Sequence, residues 1–143
     1  MKTLSSFPEV PEIILFPKIQ DPRGNLTFIE GQEHIPFEIQ RVYWIYDVPG
    51  GDVRGGHAFK DTHEVIIALS GAFDVLLDFG DWTQIYNLNR SYLGLYVPKM
   101  VWRQMFHFST NSVALVLSSS DYKEEDYIHR YSNYIELKKN DTT

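Results

Sequence analysis

The sequence predicts an all-β sandwich or barrel closed by one short helix near the C-terminus, and three observations predict it. Short segments rich in β-branched and aromatic residues recur along the chain, glycine and proline separate them at short intervals, and 43% hydrophobic with 15% aromatic residues supply a full core. The length, 143 residues, fits one domain over residues 1–143, with frayed ends expected at 1–11 and 138–143.

The elements follow in order. A first strand is expected at 12–16, after Pro11, and a second at 25–30, between Pro22-Arg23-Gly24 and Gly31. The third, at 39–46, lies between Pro36 and Pro49-Gly50-Gly51. Its period of two puts Ile39, Arg41, Tyr43 and Ile45 on one side, with Val42 and Trp44 on the other. Strands at 64–69 and 72–78 flank Gly71, where a tight turn joins them into a hairpin. Gly80 separates the latter from a strand at 83–88, and Pro98 ends another at 93–97. The last strand is expected at 113–118. Asp121-Tyr122-Lys123-Glu124 then reads as a capping box, with Glu124, Glu125 and Asp126 favouring the positive end of a helix. Tyr127, Ile128, Tyr131 and Tyr134 would form its apolar stripe, packed on the barrel or on a partner subunit.

Composition excludes several function classes. Thirteen Lys+Arg against nineteen Asp+Glu give a net charge of −6, against the basic stripe that binding a nucleic acid polymer needs. Without a run of 18 apolar residues, nothing is expected to span a membrane. Residues 1–20 are broken by Pro8, Pro11 and Pro17 and lack an apolar signal core, so a cytoplasmic protein is expected. Zero cysteines remove disulfides, thiolate catalysis and Cys-based metal sites.

The chemistry-bearing residues concentrate in the stretch from Gly51 to Gly71. Its Gly51, His57, Glu64 and Gly71 fall at the spacing of the first cupin motif, which it resembles, with Phe59 where that motif has a second histidine. Gly94-Leu-Tyr-Val-Pro98 with Trp102-Arg103 resembles the second motif, with Arg103 where a metal-ligating histidine would stand. Phenylalanine has no donor atom and arginine is always a cation, so His57 and Glu64 alone are too few for a metal. No metal is expected. His63 points to the face opposite Glu64 and is expected as an outward-facing polar residue.

Four separated stretches extend the resemblance: Arg41-Val-Tyr43-Trp-Ile-Tyr, Arg54-Gly-Gly-His57-Ala-Phe59-Lys60, Gly94 to Met105, and Ser120 to Tyr131. Together, over residues 18–137, they resemble the sugar 3,4-ketoisomerase family. These are metal-free cupins acting on dTDP-4-keto-6-deoxyglucose, in routes to deoxy and amino sugars of bacterial surface polysaccharides such as lipopolysaccharide. The resemblance implies a cupin-type antiparallel barrel or jelly roll, a homodimer, His57 as catalytic base and Tyr43 as an active-site tyrosine. The second histidine of the family's Arg-Gly-x-His-x-His-Lys pattern corresponds to Phe59.

Chemistry supports the same residues. Moving a ketone from C4 to C3 requires removal of the C3 proton, an enediol or enediolate, and a proton delivered to C4. Histidine suits the first step, and Tyr43 with a nearby arginine suits the developing oxyanion. Arg41 and Arg54 match a diphosphate by paired hydrogen bonds, and Trp102 offers a stacking face; Arg103 and the turn residue Arg23 complete the substrate-binding candidates. No cofactor is required, because the hydrogens move within the substrate. Two classes of function follow from Phe59: an active ketoisomerase, or a non-catalytic nucleotide-sugar-binding module serving as silent subunit or sensor.

Overall fold

A computed structural model describes residues 7–141. Twelve strands and one helix follow in order: β1 Glu12–Leu15, β2 Lys18–Ile19, β3 Leu26–Thr27, β4 Arg41–Tyr46, β5 Arg54–Phe59, β6 Glu64–Ser70, β7 Phe73–Asp78, β8 Thr83–Leu88, β9 Leu93–Val97, β10 Trp102–Phe106, β11 Val113–Ser118, β12 Tyr127–Ile128 and α1 Tyr131–Asp141. The order β1-β9-β6-β11-β4 makes one five-stranded sheet and β12-β5-β10-β7-β8 the other, with every pairing antiparallel. β2 and β3 form a small separate hairpin.

The sheets face one another across a core that follows from alternation. Ile66 and Ala68 of β6, Val75 and Leu77 of β7, Leu95 and Val97 of β9, Met105 of β10 and Ala114 and Val116 of β11 all turn inward. β4 alternates as its sequence predicts, with Arg41, Tyr43 and Ile45 partly buried and Val42, Trp44 and Tyr46 exposed. Gly71 turns the β6–β7 hairpin at φ +70°, and a Cβ there would fall 2.5 Å from Ser109 Oγ, so only glycine fits.

Two further apolar clusters lie outside the sheets. Phe16, Ile35, Phe37 and Leu117 cover the outer face of the first sheet. Ala58, Trp102, Ile128 and Tyr134 pack beneath α1 on the outer face of the second.

Several expectations are corrected. β5 and β10 were not among the expected strands, since β5 opens Arg54-Gly55-Gly56 and glycine reads as loop. The expected strand at 25–30 shrinks to Leu26–Thr27. The helix begins at Tyr131, not after Asp121, and Glu124–Asp126 is only one 3-10 turn. The reason is tertiary. The Asp126 carboxylate turns inward to the Thr62 hydroxyl and accepts the Asp61 N–H at 2.8 Å, while Tyr127–Ile128 pair with Phe59–Ala58 as an edge strand. α1 runs through Lys138, whose Nζ donates to the Met100 carbonyl at 2.8 Å, as far as Asp141. At the other end Phe7 stacks on His63 and the Pro8 carbonyl accepts from the Tyr96 hydroxyl; residues 1–6 and 142–143, within the ends expected to fray, lie outside the described residues.

Candidate active site

One end of the inter-sheet space is apolar and the other is polar. Parity decides which residues line the polar end: Glu64 continues the inward row of Ile66 and Ala68, Ser118 that of Ala114 and Val116, and Arg103 that of Met105. Arg41 and Tyr43 enter from β4, His57 and Phe59 from β5, and Tyr127 from β12, where it stands opposite Phe59.

His57 owes its position to a bulge. Arg103 pairs with His57 and Gln104 with Gly55, so Gly56 is the extra residue on β5. Gly55 and Gly56 adopt φ of +97° and +71°, and a Cβ on Gly55 would sit 3.1 Å from the Arg103 carbonyl. The glycines that hide this strand from a propensity reading are what set its histidine opposite Arg103.

Glu64 is the hub. It is 0% exposed and accepts from Arg103 Nη1 at 2.9 Å, from the Tyr43 hydroxyl at 2.8 Å and from the Ser118 hydroxyl at 2.6 Å, with Arg41 Nη2 at 3.9 Å. Arg103, 1% exposed, also donates to the Val101 carbonyl at 3.1 Å, and its guanidinium lies 5.1 Å over the Phe59 ring. Phe59 closes the other side, against His57 at 4.9 Å and Tyr127 at 4.6 Å between ring centroids.

These surroundings set the protonation states. Burial first, then the Arg103 charge, pull the His57 pKa down to about 3, with His129 and Arg41 adding and a Gly55 backbone hydrogen bond opposing. The ring is therefore neutral at physiological pH. Burial and the Glu64 carboxylate hold the Tyr43 phenol well above its ordinary value, so it stays protonated. His57 Nε2, Arg41 Nε and Arg103 Nε are buried with no hydrogen-bond partner among the described residues. Three such atoms in one cluster mark a place for a polar ligand. Two guanidinium charges against one carboxylate leave the cluster net positive, despite the overall charge of −6.

The cupin metal ligand positions do not fit a metal here. Phe59 offers no donor, and Glu64 is already engaged by Arg103, whose cation occupies the fourth position.

Of the sequence candidates, the structure brings together His57, Tyr43, Arg41, Arg103 and Phe59. Three others lie elsewhere. Trp102, the neighbour of inward-facing Arg103, turns outward and is 6% exposed in the core beneath α1, so it is no stacking face for a sugar. Arg54 is exposed at the start of β5, lining a surface groove with Trp44 to Pro49. Arg23 is exposed and bonded to its neighbour Asp21 at 2.9 Å. His63 does point away from the interior, but it is 4% exposed rather than solvated: Phe7 stacks on it and its Nδ1 meets the Tyr96 hydroxyl at 3.0 Å. Glu64, Ser118 and Tyr127 were missed as site residues. The cupin spacing marks Glu64, but only as half of a metal set, and the 3.6-residue spacing places Tyr127 on the helix stripe.

A two-sheet antiparallel barrel with its polar site at one end of the interior is a cupin. The chain belongs to the FdtA family (WxcM-like, C-terminal), whose model matches residues 9–139. It is 44% identical over 123 residues to the TDP-4-oxo-6-deoxy-α-D-glucose-3,4-oxoisomerase of Aneurinibacillus thermoaerophilus, covering 86% of this chain and 88% of that one. The crystal structure of a variant of the 3,4-ketoisomerase QdtA from Thermoanaerobacterium thermosaccharolyticum, in complex with TDP-4-keto-6-deoxyglucose, superposes with a TM-score of 0.89 at 42% identity, covering 91% and 94% of the two chains. The fold alone is shared with NovW, a 4-keto-6-deoxy sugar epimerase of Streptomyces spheroides, at a TM-score of 0.70 and 18% identity, over 83% of this chain and 68% of that one.

Proposed function

We propose that the chain is a nucleotide-sugar 3,4-ketoisomerase, moving the keto group between C4 and C3 of a TDP-4-keto-6-deoxyhexose through an enediol or enediolate, for deoxy- or amino-sugar synthesis. The observation that carries this is the bare Nε2 of a neutral, buried His57 beside two guanidinium groups. A neutral imidazole is a base, and cations around it favour the enediolate that proton removal creates. His57 takes the C3 proton. Arg103, fixed by Glu64, presents its free Nε–H to the developing oxyanion. Arg41, partly buried at the rim, takes the diphosphate. Tyr43, anchored on Glu64, forms the wall between them.

Arg23, Arg54 and Trp102 have no part in this mechanism. The exposed apolar row Val42, Trp44 and Tyr46 with Leu69 supports a homodimer as part of the reading, and the lack of cysteine suits a reducing cytoplasm. The test is proton NMR with dTDP-4-keto-6-deoxyglucose in D₂O. A 3-keto product with deuterium entering the sugar ring is the expected result. Binding of the nucleotide without exchange or product would replace the reading with that of a non-catalytic sugar-nucleotide binder.

A further inference from the structure

The isomerisation needs a proton taken from C3 and a proton given to C4. His57 serves the first; the second requires a group that holds a proton and can release it into the same space. The hydroxyl proton of Tyr43 is directed at Glu64 Oε2 at 2.8 Å, and that of Ser118 at the same oxygen at 2.6 Å. Arg41 and Arg103 do not release protons. Phe59 has none to give.

Tyr127 differs from all of these. Its ring lies 5.3 Å from His57 and 4.6 Å from Phe59, and it stands opposite Phe59 in the β5–β12 register. The charge that bears most on its phenol is the Arg41 guanidinium, which favours loss of the phenolic proton, whereas Glu64 holds the hydroxyl protons of Tyr43 and Ser118. Unlike Glu64 and Arg103, it is only partly buried, at the open side of the cluster.

We propose that Tyr127 is a second catalytic residue, the acid that delivers the proton to C4. The inference rests on the ketoisomerase reading above. In the forward direction the C3–H bond breaks to His57 Nε2 and its electron pair forms the C3–C4 double bond, leaving the negative charge on O4. The O3 proton passes to O4, C4 takes the phenolic proton of Tyr127, and C3–O3 becomes the ketone. His57 is left protonated and Tyr127 ionised, and a proton returned between the two contacting rings restores both. Arg41 beside the hydroxyl stabilises the phenolate, opposing the effect of burial, which raises the Tyr127 pKa.

Tyr127→Phe keeps the ring contacts and removes only the acid. The expected result is product formation reduced on the order of a hundredfold, with the ratio of C3 deuterium in recovered substrate to product raised at least about tenfold. Turnover of Tyr127→Phe at the parent rate overturns the proposal, as does a fall of exchange and product in the same proportion. Transfer of protium from C3 to C4 within a single turnover of the parent protein in D₂O also overturns it, because a single base would then carry the proton. A parent protein inert in both exchange and turnover would instead remove the ketoisomerase reading itself, so the two failures are distinguishable.

Discussion

Neutralising Glu64 tests the architecture of the site most directly. Glu64→Gln keeps the side-chain shape and one carbonyl acceptor. The hydroxyls of Tyr43 and Ser118 can reverse to accept from the new amide, so the loss falls on charge. Arg103, 1% exposed, then keeps its hydrogen bonds to the retained side-chain carbonyl and to the Val101 carbonyl but has no counter-charge at 2.9 Å. Breaking one partner out of a buried pair costs about 3–5 kcal/mol, because the remaining ion is left desolvated. Arg103→Met strands the Glu64 carboxylate in the same way, relieved only by Arg41 at 3.9 Å. Removing both charges together ends the stranding, and replacing buried pairs by apolar groups is often neutral. Each single variant is therefore expected to lose roughly 10–15 °C of thermal midpoint, at about 3 °C per kcal/mol for a chain of this size. The double variant should recover most of that, so the two losses should be far from additive in a double-mutant cycle. Urea and thermal unfolding of the four proteins provide the measurement. Additive losses, or a Glu64→Gln variant within about 0.5 kcal/mol of the parent, would show that the carboxylate is not the electrostatic anchor of the site.

Other outcomes follow from the same geometry. Phe59→His puts a polar ring into a fully buried slot beside Arg103, and stability should fall by about 2–4 kcal/mol without a rise in turnover; a hundredfold gain on progress curves would mean the native mechanism is incomplete. The depressed pKa values of His57, about 3, and His63, about 4, set a pH dependence. The unfolded chain binds protons at both sites as pH drops through about 6.5 while the folded chain does not, so stability is full above that pH and declines below it. Urea midpoints should fall from pH about 7.5 to about 5, less steeply in His63→Gln, and midpoints that rise toward acid would contradict the assignment. For the same reason kcat/KM should show no acid limb near pH 6.5; a limb at the ordinary histidine value would mean that His57 is solvated or is not the base. Trp44→Asp on the exposed face of β4 should turn a dimer into a monomer in sedimentation velocity, and an unchanged mass would place any interface elsewhere.

Alternation and turn chemistry act locally, so they could be read from the chain. The strands 83–88, 93–97 and 113–118 have the bounds expected of them, and the faces of β4 are those its period of two demands. His57, Tyr43, Arg41 and Arg103 were legible as a set through motifs whose spacing encodes the same barrel. What the sequence could not determine depends on partners distant in the chain. β5 exists because β10 pairs with it across a glycine bulge, and that pairing overrides the loop-like propensity of Gly55-Gly56. Asp126 and Tyr127 leave the helix that the local capping signal favours because Thr62 and Phe59, more than sixty residues earlier, offer a buried hydroxyl donor and a strand edge. Trp102 and Arg103 are adjacent and both look apt for a ligand, yet a single residue of register sends one beneath α1 and the other to Glu64. Propensity is a sum over neighbours in sequence, and which face is buried is a property of the closed barrel. The candidate residues could therefore be named from the chain, but only the tertiary structure decided which of them meet, and that Glu64 binds them into one site.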